Sequence, residues 1–189
     1  TVGVGEIGLD YYRGKSPEVR QFQRDMLRAI LLRLKQEEKI NRLPLVLHVR
    51  DVNKQVDASK DCIQILQDCG YDGATQLYRH CFMGTREEAK LWLDAFPQVK
   101  FGISPIFATP SRIQLLRSLP KSSLLLESDA PGLHMPDCSD RFPASPFSML
   151  HVYKWVVDSL GLTLGQVCAL VETNLSGFYG IQTGPESSG

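Results

Sequence analysis

The sequence predicts an α/β fold built on one parallel sheet, and two observations carry that prediction. Short apolar, β-prone runs alternate with stretches of helical periodicity and no hairpin signal joins neighbouring runs, so right-handed βα units are expected. Four of the runs also carry or lead into a residue that can bind a metal. The run from Val2 to Leu9 contains Glu6, Leu45-Val46-Leu47 reaches His48, Thr75 to Arg79 reaches His80, and Ser123 to Ser128 reaches Asp129. Parallel sheets assemble their sites from residues at the C-terminal ends of several strands.

The elements follow in order. Thr1 to Leu9 reads as a buried strand whose Gly3, Gly5 and Gly8 permit close backbone approach or a bulge. A polar loop runs from Asp10 to Lys15. Ser16 is a helix N-cap with Pro17 at the first helical position, and Phe22, Met26, Ala29, Ile30 and Leu34 recur at helical spacing as far as Glu38. Pro44 opens the second strand, Leu45 to Val49. After a loop from Asp51 to Asp57, a helix presents Cys62, Ile65, Leu66 and Cys69 on one face and ends at Gly70.

The third strand covers Thr75 to His80. Thr85 caps the next helix with Glu88 at the capping-box position; Ala89, Leu91, Trp92 and Phe96 supply its apolar contacts and Pro97 stops it. Val99 to Ser104 is a strand, Ser111 to Leu119 a short helix, and Ser122 to Ser128 the fifth strand. Pro131, Pro136, Pro143 and Pro146 mark Ala130 to Pro146 as an irregular rim loop. Helices at Phe147 to Leu160 and Thr163 to Tyr179 complete a domain spanning 1–181, and 182–189 reads as a disordered tail. With 189 residues and five strands, the chain falls short of the roughly 250 residues of a closed eight-stranded α/β barrel.

Composition narrows the chemistry. Formal net charge is zero, so no global basic field draws in nucleic acid, and a phosphate-bearing substrate must be held by local Arg and Lys or by metal. No apolar run approaches the ~18 residues of a membrane span. The five cysteines form no C-x-x-C pair, which predicts reduced thiols and an intracellular, nuclear or cytoplasmic location.

Taken singly, each ligand candidate has an ordinary reading: Glu6 as a turn or rim residue, His48 and His80 as hydrogen-bonded core histidines, Asp129 as a cap. Cys81, next to His80 along a strand, should point to the opposite face, which argues against a Cys–His dyad. Together the four converge on one rim. Two histidines and two carboxylates suit Mg²⁺, Mn²⁺ or Zn²⁺, one ion readily and two thinly. Such an ion acidifies water; Glu6 can bridge two ions, and Asp129 can serve as ligand and proton acceptor. Arg13, Arg50 and Arg141 lie on loops where an anionic substrate would arrive, and Tyr11, Tyr12 and Phe107 are candidates for stacking a base.

Four stretches, Gly5-Glu6-Ile7-Gly8-Leu9-Asp10, His48-Val49-Arg50-Asp51, His80-Cys81-Phe82-Met83-Gly84 and Glu127-Ser128-Asp129-Ala130-Pro131, together resemble the TatD-type metal-dependent deoxyribonucleases. Glu172-Thr173-Asn174-Leu175 and Phe178-Tyr179-Gly180-Ile181 are similar to that family's closing helix. The resemblance spans nearly the whole chain in the right order. It implies a (β/α)8 barrel of the amidohydrolase type, here incomplete, with Glu6 as bridging ligand, His48 and His80 as ligands, and Asp129 as ligand and base. It also implies phosphodiester hydrolysis in DNA or RNA. The family's His-x-His pair has no counterpart among the four histidines, and its Arg-Asn-x-Pro segment is reduced to Arg141-Phe142-Pro143. The chain therefore corresponds to the last five of eight βα units, the upstream part of the same domain is an expected partner, and these residues alone should bind metal weakly and cut slowly. The competing expectations are a metal-dependent amide or lactone hydrolase and an inactive fragment.

Overall fold

The computed structural model describes residues 1–52, 55–105, 109–133 and 143–181. Strand and helix alternate as β1 (Val4–Asp10), α1 (Pro17–Gln36), β2 (Leu45–Arg50), α2 (Asp57–Asp68), β3 (Leu77–Arg79), α3 (Arg86–Ala95), β4 (Lys100–Ile103), α4 (Pro110–Ser118) and β5 (Leu124–Leu126). Two helices, α5 (Met149–Leu160) and α6 (Leu164–Tyr179), follow. The five strands lie in sequence order in one sheet, every neighbouring pair parallel, with β1 and β5 at its edges. The alternation of runs predicts this parallel sheet, and five strands in sequence order match the incomplete barrel that the resemblance implies.

Period-two alternation along each strand separates two apolar layers. Leu9, Leu45, Leu47, Leu77, Phe101 and Leu124 belong to the main core, which Leu27 and Leu31 of α1, Cys62 and Leu66 of α2, and Trp92 of α3 share. The alternate positions Val46, Tyr78 and Leu125 meet Phe178 and Tyr179 at the end of α6, where the Tyr78 and Phe178 rings pack edge to face at 6.1 Å. The last turn of the chain's final helix thus covers part of the other sheet face.

Several local signals act as their chemistry dictates. The Ser16 side chain accepts the Val19 amide at the start of α1, ahead of Pro17, and Thr163 and Gln166 form a reciprocal capping box on α6. Others are redirected. Leu34 of the expected stripe is buried and Ile30 packs against the core, but Phe22 is 65% and Met26 45% exposed, and Leu27 and Leu31 are buried in their stead. Both stripes have helical spacing, so periodicity alone could not choose between them. Thr85 accepts the Glu88 amide, but the Glu88 carboxylate turns inward to accept the Ser59 hydroxyl at 2.6 Å instead of completing the box. The α2 N-terminus, led by Val56, is capped by Asp51, which accepts the Ala58 and Ser59 amides. Both β3 and β5 are shorter than their apolar runs, and a 3-10 turn at Lys121–Ser123 occupies the expected start of β5. The expected tail at 182–189 lies outside the described residues. Among the described residues no single helix is long and apolar enough to cross a membrane.

Candidate metal centre

Strand register brings the ligand candidates together. Gly8 of β1 pairs with His48 of β2, and Leu47 of β2 pairs with Arg79 of β3, so His48 stands level with His80, the residue that follows β3. Between Val4 and Ile7 the β1 ladder shifts, placing two residues, Gly5 and Glu6, opposite the single Val46. A bulge of this kind re-aims a side chain. A Cβ on Gly5 would lie 2.7 Å from that of Val46, so only glycine tolerates the approach.

Glu6 Oε1 lies 2.6 Å from His48 Nδ1 and 3.5 Å from His80 Nε2. One ligand atom from each of the three residues falls within 4.8 Å of the others. Asp129, just beyond β5, reaches within 3.9 Å of His80 Nε2 and stands at the border of this trio. The positions along the strands differ from the expectation. Glu6 and His48 lie inside their strands, whereas His80 and Asp129 follow theirs. The register and the bulge, not four strand ends, make the residues converge. A carboxylate and two imidazoles around one point, with a second carboxylate beside them, form a donor set that fits a single divalent ion.

Two further carboxylates back the imidazoles, and neither was anticipated. Asp10 Oδ2 sits 3.4 Å from His48 Nε2, and Glu127 Oε2 sits 3.3 Å from His80 Nδ1. Asp10 shares strand parity with Gly8 and could have been found from period two. Glu127 offers no such signal, because its partners belong to a strand two places away. Burial works to lower the His80 pKa, but the hydrogen bond and charge of Glu127, then Glu6 and Asp129, outweigh it and raise it. Cys81 has a positive φ of 45° beyond β3, so strand alternation does not govern its direction. Burial pushes its thiol up to about 12, which leaves no thiolate nucleophile at neutral pH.

The trio opens into a cleft of about 530 Å³ whose walls include Asp129, Tyr12, Arg13 and Arg50. The Arg50 guanidinium lies over the Tyr12 ring at 5.1 Å and the Lys15 ammonium at 5.7 Å. Arg13 is anchored through its backbone amide to Asp10 while its side chain stays 81% exposed. Tyr11 is only 1% exposed and its hydroxyl donates to Asp61 at 2.5 Å. It is a core residue, so of the tyrosine pair only Tyr12 is open to a ligand. Arg141 and Phe107 lie outside the described residues.

A family model described as TatD related DNase matches residues 1–180. The chain is similar to the uncharacterized metal-dependent hydrolase YabD of Bacillus subtilis, at 30% identity over 70% of this chain and 47% of that protein. It is also similar to the 3'-5' ssDNA/RNA exonuclease TatD of Escherichia coli, at 27% identity over 95% of this chain and 66% of that one. The chain thus spans between about half and two thirds of the length of these relatives. Among solved structures, the TatD homolog YJJV of Escherichia coli superposes with a TM-score of 0.78 at 21% identity, over 96% of this chain and 65% of that one. An uncharacterized amidohydrolase of Saccharomyces cerevisiae gives 0.74 at 19% identity, over 94% and 64%. At those identities the likeness speaks for the fold.

Proposed function

The chain belongs to the TatD related DNase family, and from that premise we propose that it is a metal-dependent nuclease hydrolysing phosphodiester bonds of DNA or RNA. The observation that carries the proposal is the meeting of Glu6, His48 and His80 within 4.8 Å in a cleft that Arg13 and Arg50 also line. Those three residues would hold a divalent ion, with Asp129 beside them. When bound, the ion supplies Lewis acidity that polarises a phosphoryl oxygen and acidifies water.

The chain's own groups supply the rest. The Asp129 carboxylate, next to His80, accepts the proton that water loses as it attacks. Arg50 and Arg13 offer guanidinium donors to the phosphate in forked pairs. Tyr12, half exposed at the rim, presents a face on which a base can stack. With zero net charge overall, grip on a polyanion is local to this rim. The relative named a 3'-5' ssDNA/RNA exonuclease makes single strands the first substrates to try.

The test is cleavage of end-labelled single-stranded DNA, single-stranded RNA and duplex DNA with Mg²⁺, Mn²⁺ or Zn²⁺. The expected result is slow cleavage that a chelator abolishes and Glu6→Gln lacks. Cleavage by Glu6→Gln equal to that of the unaltered chain on every polymer would overturn the proposal.

A further inference from the structure

We propose that Glu127 is a positioning residue for His80, fixing the tautomer of its imidazole so that Nε2 presents a lone pair to the point shared with Glu6 and His48. The inference rests on the metal-centre reading above and concerns how that centre is prepared.

The two nitrogens of His80 have different surroundings. Nε2 faces Glu6 at 3.5 Å and Asp129 at 3.9 Å. Nδ1 faces Glu127 Oε2 at 3.3 Å. An ionised carboxylate only accepts hydrogen bonds. Glu127 Oε1 takes the Cys81 amide, and Oε2 takes the Tyr78 hydroxyl together with His80 Nδ1. Both nitrogens face carboxylates, but Nδ1 has the nearer one, and Glu6 Oε1 on the other side is already engaged by His48 Nδ1 at 2.6 Å. A neutral imidazole therefore keeps its hydrogen on Nδ1 and leaves Nε2 free of one. Ligand histidines generally depend on such a partner for their orientation. The carboxylate is itself held by the amide and the buried phenol, so it cannot swing away without leaving both unpaired.

Space across the sheet makes this reach possible. Glu127 follows β5, whereas Tyr78 and His80 belong to the β3 end, so the side chain must pass over β4. It passes at Gly102. A Cβ there would stand 2.7 Å from both Glu127 Cδ and the Tyr78 hydroxyl oxygen. The one strand that brings no ligand contributes an absent side chain instead.

Two measurements on the chain test this. Long-range ¹H–¹⁵N correlation on metal-free, histidine-labelled protein at pH 8 reads the tautomers of His48 and His80, and calorimetry with Zn²⁺ alone reads affinity. In Glu127→Gln one end of the amide becomes a donor. With the Cys81 amide satisfied by the amide oxygen, its NH2 confronts His80 Nδ1. His80 is then expected to move its hydrogen to Nε2 while the His48 signals stay in place, and Zn²⁺ affinity to fall by about 10- to 100-fold. Tyr78→Phe removes one of the two donors to the carboxylate but leaves it held by the Cys81 amide, so it should retain both the tautomer and the affinity. An unchanged His80 tautomer in Glu127→Gln overturns the proposal. So does an equal loss of affinity in Tyr78→Phe, which would mark a packing role. If the unaltered chain binds no Zn²⁺, the metal reading fails, and the metal-free tautomer measurement still decides the role of Glu127.

Discussion

His48 on β2 and His80 just past the end of β3 have ring centroids 5.9 Å apart, and each divides its two nitrogens between Glu6 and a different second carboxylate. His48 reaches Glu6 through Nδ1 and Asp10 through Nε2. His80 reaches Glu6 through Nε2 and Glu127 through Nδ1. Both rings are therefore oriented from behind by acceptors while their other nitrogens meet at one carboxylate oxygen.

Removing a member of that trio should cost more than removing one of its supports. His48→Ala is expected to lower Zn²⁺ or Mn²⁺ affinity by more than the about 10- to 100-fold typical of a supporting partner. Calorimetric titration checks this, with far-ultraviolet circular dichroism confirming that the fold survives. Affinity equal to that of the unaltered chain would remove His48 from the centre.

At Gly102 the expected effect is steric. Gly102→Ala sets a methyl group against Glu127 and Tyr78, so overpacking should destabilise the fold by about 1–3 kcal/mol. Urea denaturation measures the loss. An unshifted midpoint would mean that the crossing over β4 is looser than the structure shows.

Arg79 and Glu88 pair at 3.4 Å with side chains 2% and 9% exposed. Arg79 also donates to the Val49 carbonyl at 2.9 Å and lies over the Trp92 ring at 5.0 Å. Glu88→Ala leaves that buried cation short of its anion and should cost about 3–5 kcal/mol. The exposed Lys90–Asp94 pair is the comparison, and Lys90→Ala should leave the urea midpoint in place.

Thiol reactivity should follow burial. Cys62 is fully buried, and desolvation pushes its thiol up to about 12, whereas Cys168 is exposed. Iodoacetamide at pH 8, followed by peptide mass spectrometry, is expected to mark Cys168 in the folded chain and Cys62 only in denaturant. Equal labelling of both would contradict the packing of α2.

Tyr12 tests the substrate rim. Losing one stacked base is worth about 1–3 kcal/mol, or roughly 5- to 150-fold in binding. Tyr12→Ala should therefore raise KM for a single-stranded oligonucleotide and leave kcat nearly unaltered. A drop in kcat at constant KM would move Tyr12 from grip to chemistry.

Much of this molecule was readable from short stretches of chain. Ser16-Pro17 starts α1 and Gly70 ends α2 because caps act within one helical turn. The parallel pairing of the strands followed from alternating runs, and Glu6, His48, His80 and Asp129 were recognisable as ligand types at recurring places. Other features depend on contacts between residues far apart in sequence. Which stripe of α1 turns inward, why Glu88 abandons its capping box for Ser59 and Arg79, and why Tyr11 is core while Tyr12 is rim were settled by what packs opposite. The support that Glu127 gives His80 depends on strand register and on the gap at Gly102. Local hydrogen bonding and periodicity are written over a few neighbouring residues. A cross-sheet partner exists only once the strands have set the distance and left the room for it.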